Sequence, residues 1–228
     1  MAKFTPGAII SEIRNKIAAT VFTKNASGNS IRNRSTPINP RSTKQGLRRQ
    51  ILASLSAQWR GLTQAQRDGW NNGASNFPQS DSLGQTVILT GAQLFVRSNA
   101  NLILIGAAQI TTIPVPASFA VLAIGASTMA AGVLTIAFTV TPVPAGFNLV
   151  VRATAPVSQG KQFISESAFR FLQVLAPAAA TPIVGTVAYA AAFGSAPAAG
   201  TKIFVSIQLV QISSGLASQV VRREIIAT

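Results

Sequence analysis

No charged residue occurs between Arg97 and Arg152, and a run of that length leaves the chain two broad outcomes. It spans a membrane, or it supplies the core and the uncharged surface of a β-rich domain. The window 118–138 passes a crude hydropathy threshold for a spanning segment. It also contains Ser118, Gly125, Ser127, Thr128 and Gly132, and its second half alternates. Leu134, Ile136, Phe138 and Val140 share one face, with smaller or polar residues on the other. Period two is the mark of a strand half buried on a core. The sequence therefore predicts a sandwich here and not a spanning helix.

The same grammar continues to the end of the chain. Residues 111–116 are extended and bounded by proline. Short strand candidates follow at 119–124, 133–141, 147–154, 168–174, 202–212 and 219–226, separated by clusters of Gly, Pro, Ser and Ala. Ser213-Ser214-Gly215 reads as a hairpin turn joining the last two, while 181–194 is either a strand or a loop with a short helical turn. Strands at this spacing argue for a sandwich.

Charge divides the chain in two. Residues 1–97 hold thirteen Lys/Arg and three acids, and residues 98–228 hold six and two. The basic part opens with Ile9, Ile10, Ile13 and Ile17 at helical spacing. A hairpin follows, 20–23 and 30–34 around Asn25-Ala26-Ser27-Gly28-Asn29, where Gly and Asn suit a left-handed turn. Pro37 and Pro40 make 35–41 extended. A helix over 43–59 then carries Leu47, Ile51, Leu55 and Trp59 as one stripe, with Lys44, Arg48 and Arg49 largely off it. Thr63 with Gln66, and Thr90 with Gln93, have the spacing of a capping box, in which two orphan backbone donors are satisfied reciprocally. The first precedes a helix turning Trp70, Ala74 and Phe77 inward; the second precedes Leu94, Phe95, Leu102 and Ile105, with Gly106 as the stop. The expected fold class is α+β: a basic N-terminal hairpin plus helices over 1–108, then an antiparallel immunoglobulin-like β-sandwich over 109–228.

Composition narrows the chemistry. With no histidine and no cysteine, the commonest general base, the commonest metal ligand and the strongest nucleophile are missing. The acids are Glu12, Asp68, Asp81, Glu166 and Glu224, mostly too dispersed for paired-carboxylate chemistry. A Ser-Lys dyad or a site built on Tyr189 remains a formal option. The expectation is no enzyme, no cofactor, no metal and no small-molecule substrate. Ser158-Gln159-Gly160-Lys161-Gln162 lacks the upstream glycine and following hydroxyl of a phosphate loop and reads as a turn. Trp59 and Trp70 read as core anchors. Lys3, Glu12, Arg14 and Lys16 interrupt any apolar signal-peptide core, so the chain is expected to be made in a cytoplasm, with no membrane partner.

The strongest functional hint is the cluster Arg32, Arg34, Arg41, Lys44, Arg48, Arg49, Arg60 and Arg67. Such residues can neutralise phosphates in a salt-dependent, sequence-blind way, or face acidic neighbours in an assembly. No zinc-finger spacing, RNA-binding aromatic motif or recognition helix accompanies them.

The run 50–70, with Trp59-x-x-Leu62-Thr63-x-x-Gln66-Arg67-x-x-Trp70 behind a Gly-turn hairpin and Asn39-Pro40-Arg41, resembles a pattern in phage and prophage-associated proteins. The later Thr90-Gly91 with Phe95 extends it, so that it covers 20–106. The downstream part resembles immunoglobulin or fibronectin-type modules in strand pattern alone. The resemblance brings no catalytic activity with it. What it implies is a virion component: a capsid-associated, head-tail or appendage subunit, whose partners are itself and other virion proteins. A sequence-nonspecific nucleic-acid-binding protein and a non-viral filament subunit are the alternatives.

Overall fold

The computed structural model describes residues 2–7, 12–25, 28–35, 42–81 and 84–228. It forms two compact units, Met1–Leu94 and Phe95–Thr228. The division falls inside a helix, ahead of the boundary at 108 that composition suggests. Phe95, Ser98, Asn99 and Leu102 are buried on the far side of it.

In the first unit, β1 (Ala2–Lys3), β2 (Asn15–Ile17), β3 (Thr20–Asn25) and β4 (Gly28–Asn33) make an antiparallel sheet in the order β1-β4-β3-β2. The hairpin of β3 and β4 is the one the sequence predicts. The helix expected around Ile9–Ile17 is not formed where the chain is described. Ile17 instead pairs with Thr20 across a tight turn in which Ala18 has φ 49°. Ladder hydrogen bonds to β3 and the strand preference of a β-branched residue outweigh a four-isoleucine helical spacing. Ile9, Ile10 and the proline segment 36–41 lie outside the described residues.

Three helices follow, separated by the short hairpin of β5 (Gln79–Ser80) and β6 (Thr86–Val87): α1 (Thr43–Gly61), α2 (Gln64–Gly73) and α3 (Gly91–Ile105). Ser42 caps α1 by accepting from the Gln45 amide. Both capping boxes form. The Gln66 amide donates to Thr63 Oγ1 at 3.3 Å while the Thr63 amide donates to Gln66 Oε1 at 3.0 Å, and Thr90 with Gln93 repeats the pair at 3.3 and 2.9 Å. Leu55, Leu62, Trp70, Ala74 and Leu94 are the buried apolar side chains among the described residues of this unit. Gly91 is required where it stands, because a Cβ there would lie 2.4 Å from Asn71 Oδ1 and 2.8 Å from the Trp70 carbonyl carbon.

In the second unit α3 ends at Gly106, φ +71°, with the Ala107 amide donating to the Leu102 carbonyl, a left-handed glycine stop. Asn99, fully buried, donates to the Phe95 and Ile110 carbonyls and accepts from the Ile110 amide. It thereby ties the outgoing chain to the helix. Beyond lie β7 (Thr128–Ala130), β8 (Val133–Ile136), β9 (Phe147–Ala153), β10 (Arg170–Leu175), β11 (Ile183–Val184), α4 (Thr186–Phe193), β12 (Lys202–Gln211) and β13 (Val221–Ile226).

They form two antiparallel sheets, ordered β10-β9-β12-β13 and β11-β8-β7. Both feed one buried core. Met129, Leu134, Ile136 and Ile183 come from the smaller sheet, and Leu149, Val151, Ile203, Val205, Ile207 and Ile225 from the larger. The architecture is α+β, as the sequence predicts.

Two strand expectations need correction. Residues 119–124 form no strand, only an isolated bridge from Ile124 to Phe138. The strand expected over 133–141 stops at Ile136, because side-chain hydroxyls replace the ladder partners. The Ala137 amide donates to Ser127 Oγ and the Phe138 amide to Thr181 Oγ1. The strand β7 is not visible in the sequence as a separate element, and the ambiguous stretch 181–194 is both a strand, β11, and a helix, α4. The hairpin at Ser213-Ser214-Gly215 holds, and it also docks on α3. The Asn101 amide donates to the Gly215 carbonyl at 2.8 Å, and a Cβ on Gly215 would fall 2.1 Å from the Ser98 carbonyl oxygen. Among the described residues no helix is long and apolar enough to cross a membrane.

Candidate functional site

The cationic cluster resolves into separate groups on the first unit. Arg32 is exposed on β4, where the register sets it opposite Val21 and Val21 opposite Lys16, so Lys16 and Arg32 share one sheet face. Arg34, exposed, follows the strand, its amide donating to the Ala19 carbonyl. Lys44, Arg48 and Arg49 are exposed on the first half of α1, and Arg60 is exposed in its last turn. Arg60 there complements the helix dipole. Arg67 on α2 is half-buried and donates from Nη2 to Gln64 Oε1 at 3.3 Å, while its Nε is buried with no hydrogen-bond partner among the described residues. Arg41 lies outside the described residues.

Those of α1 are spread along the helix and are not gathered at one point. At about 1.5 Å per residue, Lys44 and Arg60 stand roughly 24 Å apart along α1. The stripe expected on that helix needs correction too. Of Leu47, Ile51, Leu55 and Trp59 only Leu55 is fully buried, and Leu47 is 56% exposed. Lys44 and Arg48 project within about 20° of the Leu55 direction and are not off the stripe.

The five carboxylates are engaged elsewhere. Asp81 pairs with Lys3, Glu12 with Arg14 and Lys24, Glu166 with Arg222, and Glu224 with Lys202. Asp68 accepts from Gln64 Nε2 at 2.7 Å. The Arg14 guanidinium, and after it the Lys24 ammonium, hold the Glu12 carboxyl below the usual carboxylate range. Arg32, Arg34, Lys44, Arg48 and Arg60 thus have no carboxylate partner among the described residues.

The second unit has a contrasting surface. The outward row of the three-stranded sheet is Thr128, Thr135 and Val184, with Ala130 and Val133 beside it. Val133 is 45% exposed, Val184 63%, and Val187 on α4 84%. No charge occurs anywhere on β7, β8, β11 or α4. The charges of this unit instead mark α3, the larger sheet, and the 154–169 segment that leads from β9 to β10. Tyr189, an option for chemistry on sequence grounds, is fully buried and donates to the Thr154 carbonyl at 3.0 Å, which makes it a core anchor. Set against protein-family models, curated proteins and solved structures, the chain matches none.

Proposed function

We propose that this chain is a non-catalytic structural subunit that works by self-assembly, and that its assembly is a phage particle, as a capsid-associated, head-tail or appendage protein. The observation that carries the assembly reading is the uncharged, half-apolar outer face of the β11-β8-β7 sheet. A chain of net charge +14 repels its own copies, and that repulsion is least where a contact face bears no charge. Exposed valines on a face without charge fit an interaction site. The occupant is a second copy of the chain. The phage context rests on the Trp59 to Trp70 segment.

The finer reading of the second unit is an immunoglobulin or fibronectin-type sandwich. Its support is the split of seven strands into a four-stranded and a three-stranded sheet around one core. One further reading, a sequence-nonspecific nucleic-acid-binding protein, draws support from Arg32, Lys44, Arg48 and Arg60, exposed on β4 and α1 with no carboxylate partner among the described residues.

Light scattering on the nuclease-treated full chain in moderate salt separates the two. Large discrete oligomers or filaments without nucleic acid are the expected result. A monomer or dimer whose mass changes only when DNA is added overturns the assembly reading in favour of the rival.

A further inference from the structure

Register in the larger sheet builds a row that no single stretch of sequence contains. Ser206 on β12 is directly opposite Arg152 on β9 and directly opposite Arg222 on β13. Strands lie about 4.8 Å apart, so two guanidinium-bearing residues flank one serine on the same face, their Cα atoms separated by roughly 10 Å. The alternate residues Ile203, Val205 and Ile207 point into the core, which fixes the row on the outer face.

A groove of about 290 Å³ opens there, lined by Arg152, Ser206, Arg222, Glu166, Phe169 and Val220. Ser206 is 3% exposed. The Phe169 ring centroid lies 5.4 Å from the Arg222 guanidinium carbon, and one of the contacts of Arg152 is a donation to Gln208 Oε1 across 3.4 Å. Glu224, two residues along β13, is taken by Lys202. The acid lining the groove is Glu166, whose carboxylate pairs with Arg222. It comes from a three-residue turn, Glu166–Ala168, and its side chain is 80% exposed. An ion pair so open to water contributes little and exchanges readily.

We infer that this groove is a carboxylate-recognition site for an acidic segment of another protein, with Glu166 occupying it as an internal stand-in. Guanidinium forks match carboxylate oxygens two by two, the serine hydroxyl supplies a further donor, and Phe169 and Val220 flank the methylene stem of an incoming Glu or Asp. The choice of a carboxylate over a phosphate follows from what already sits there: a carboxylate, delivered by a protein side chain. The site stands independently of the cations on the first unit and of the uncharged sheet face.

The test uses the full-length chain, a fluorescein-labelled hexaglutamate peptide and anisotropy at fixed ionic strength. Arg152→Gln is expected to weaken binding about tenfold, by loss of a charge-assisted pair. Glu166→Gln is expected to strengthen it about fivefold, by removing the competitor. Lys16→Gln, which removes the same charge from the first unit, should stay within about twofold, since it takes no guanidinium fork from the groove. Equal weakening by Arg152→Gln and Lys16→Gln would reduce the effect to net charge and overturn the proposal. So would an unchanged affinity in Glu166→Gln, or displacement of the peptide by an oligothymidylate of equal charge at lower concentration than by unlabelled hexaglutamate.

Discussion

At the residue scale, Tyr189 shows how a side chain available for chemistry is spent on structure. Its hydroxyl donates to the Thr154 carbonyl and its ring lies 4.7 Å from that of Phe193. Burial pushes its phenol up to about 12 from the ordinary value of 10. The unfolded chain therefore ionises first. The contribution of this residue to stability is intact below pH 10 and disappears as pH rises through about 12. As the sole tyrosine, it can be followed alone: near-ultraviolet phenolate absorbance in an alkaline titration should appear together with unfolding and not before it. Tyr189→Phe leaves the buried Thr154 carbonyl without its donor and should cost about 1–3 kcal/mol in denaturant melts. The sequence exposes Tyr189 as an oddity but not its use, because the acceptor is 35 residues away. The Arg152, Ser206 and Arg222 row was hidden for the same reason. Period two assigns every second side chain to the outer face, yet which strands become neighbours, and in what register, is a long-range choice.

At the element scale, what was legible is what is decided locally. Capping boxes, the Gly106 stop and the β3–β4 hairpin depend on residues within a few positions of one another, and all form as the spacing predicts. Thr63→Ala should cost about 1 kcal/mol, since it strips the acceptor from the first turn of α2 and breaks the reciprocal pair with Gln66. A thermal melt would show this as a lowered midpoint with the helix content of the folded state unchanged. The failures have a common physical origin. The Leu47–Trp59 spacing specifies a face but not what stands opposite it, so the outer half of α1 keeps its leucine in water. β8 ends early because hydroxyls of Ser127 and Thr181, one before and one far after it, take the amides that the ladder would have used. The isoleucines near the N-terminus have a helical period, but Ile17 gains more from pairing with β3.

At the scale of the whole molecule, charge placement is the dominant fact. The N-terminal cations were legible residue by residue, but their dispersal along about 24 Å of helix was not, since a list of basic residues carries no geometry. The uncharged sheet face was foreshadowed by the gap between Arg97 and Arg152. If that face joins copies of the chain, Val184→Lys should leave the melting temperature nearly unchanged, because the side chain is 63% exposed. The same substitution should lower the particle mass seen by light scattering; large particles of undiminished mass would place the contact elsewhere.

The segregation of charge between the two sheets has one more consequence. A layer grown through the β11-β8-β7 face would be held by apolar burial, which excluded salts such as sulfate strengthen. Anything gripped by the arginine row on the other sheet would be held by electrostatic attraction, which the same salts weaken. Ionic strength would then act on this protein as a lever with two arms, tightening the lattice while loosening its cargo.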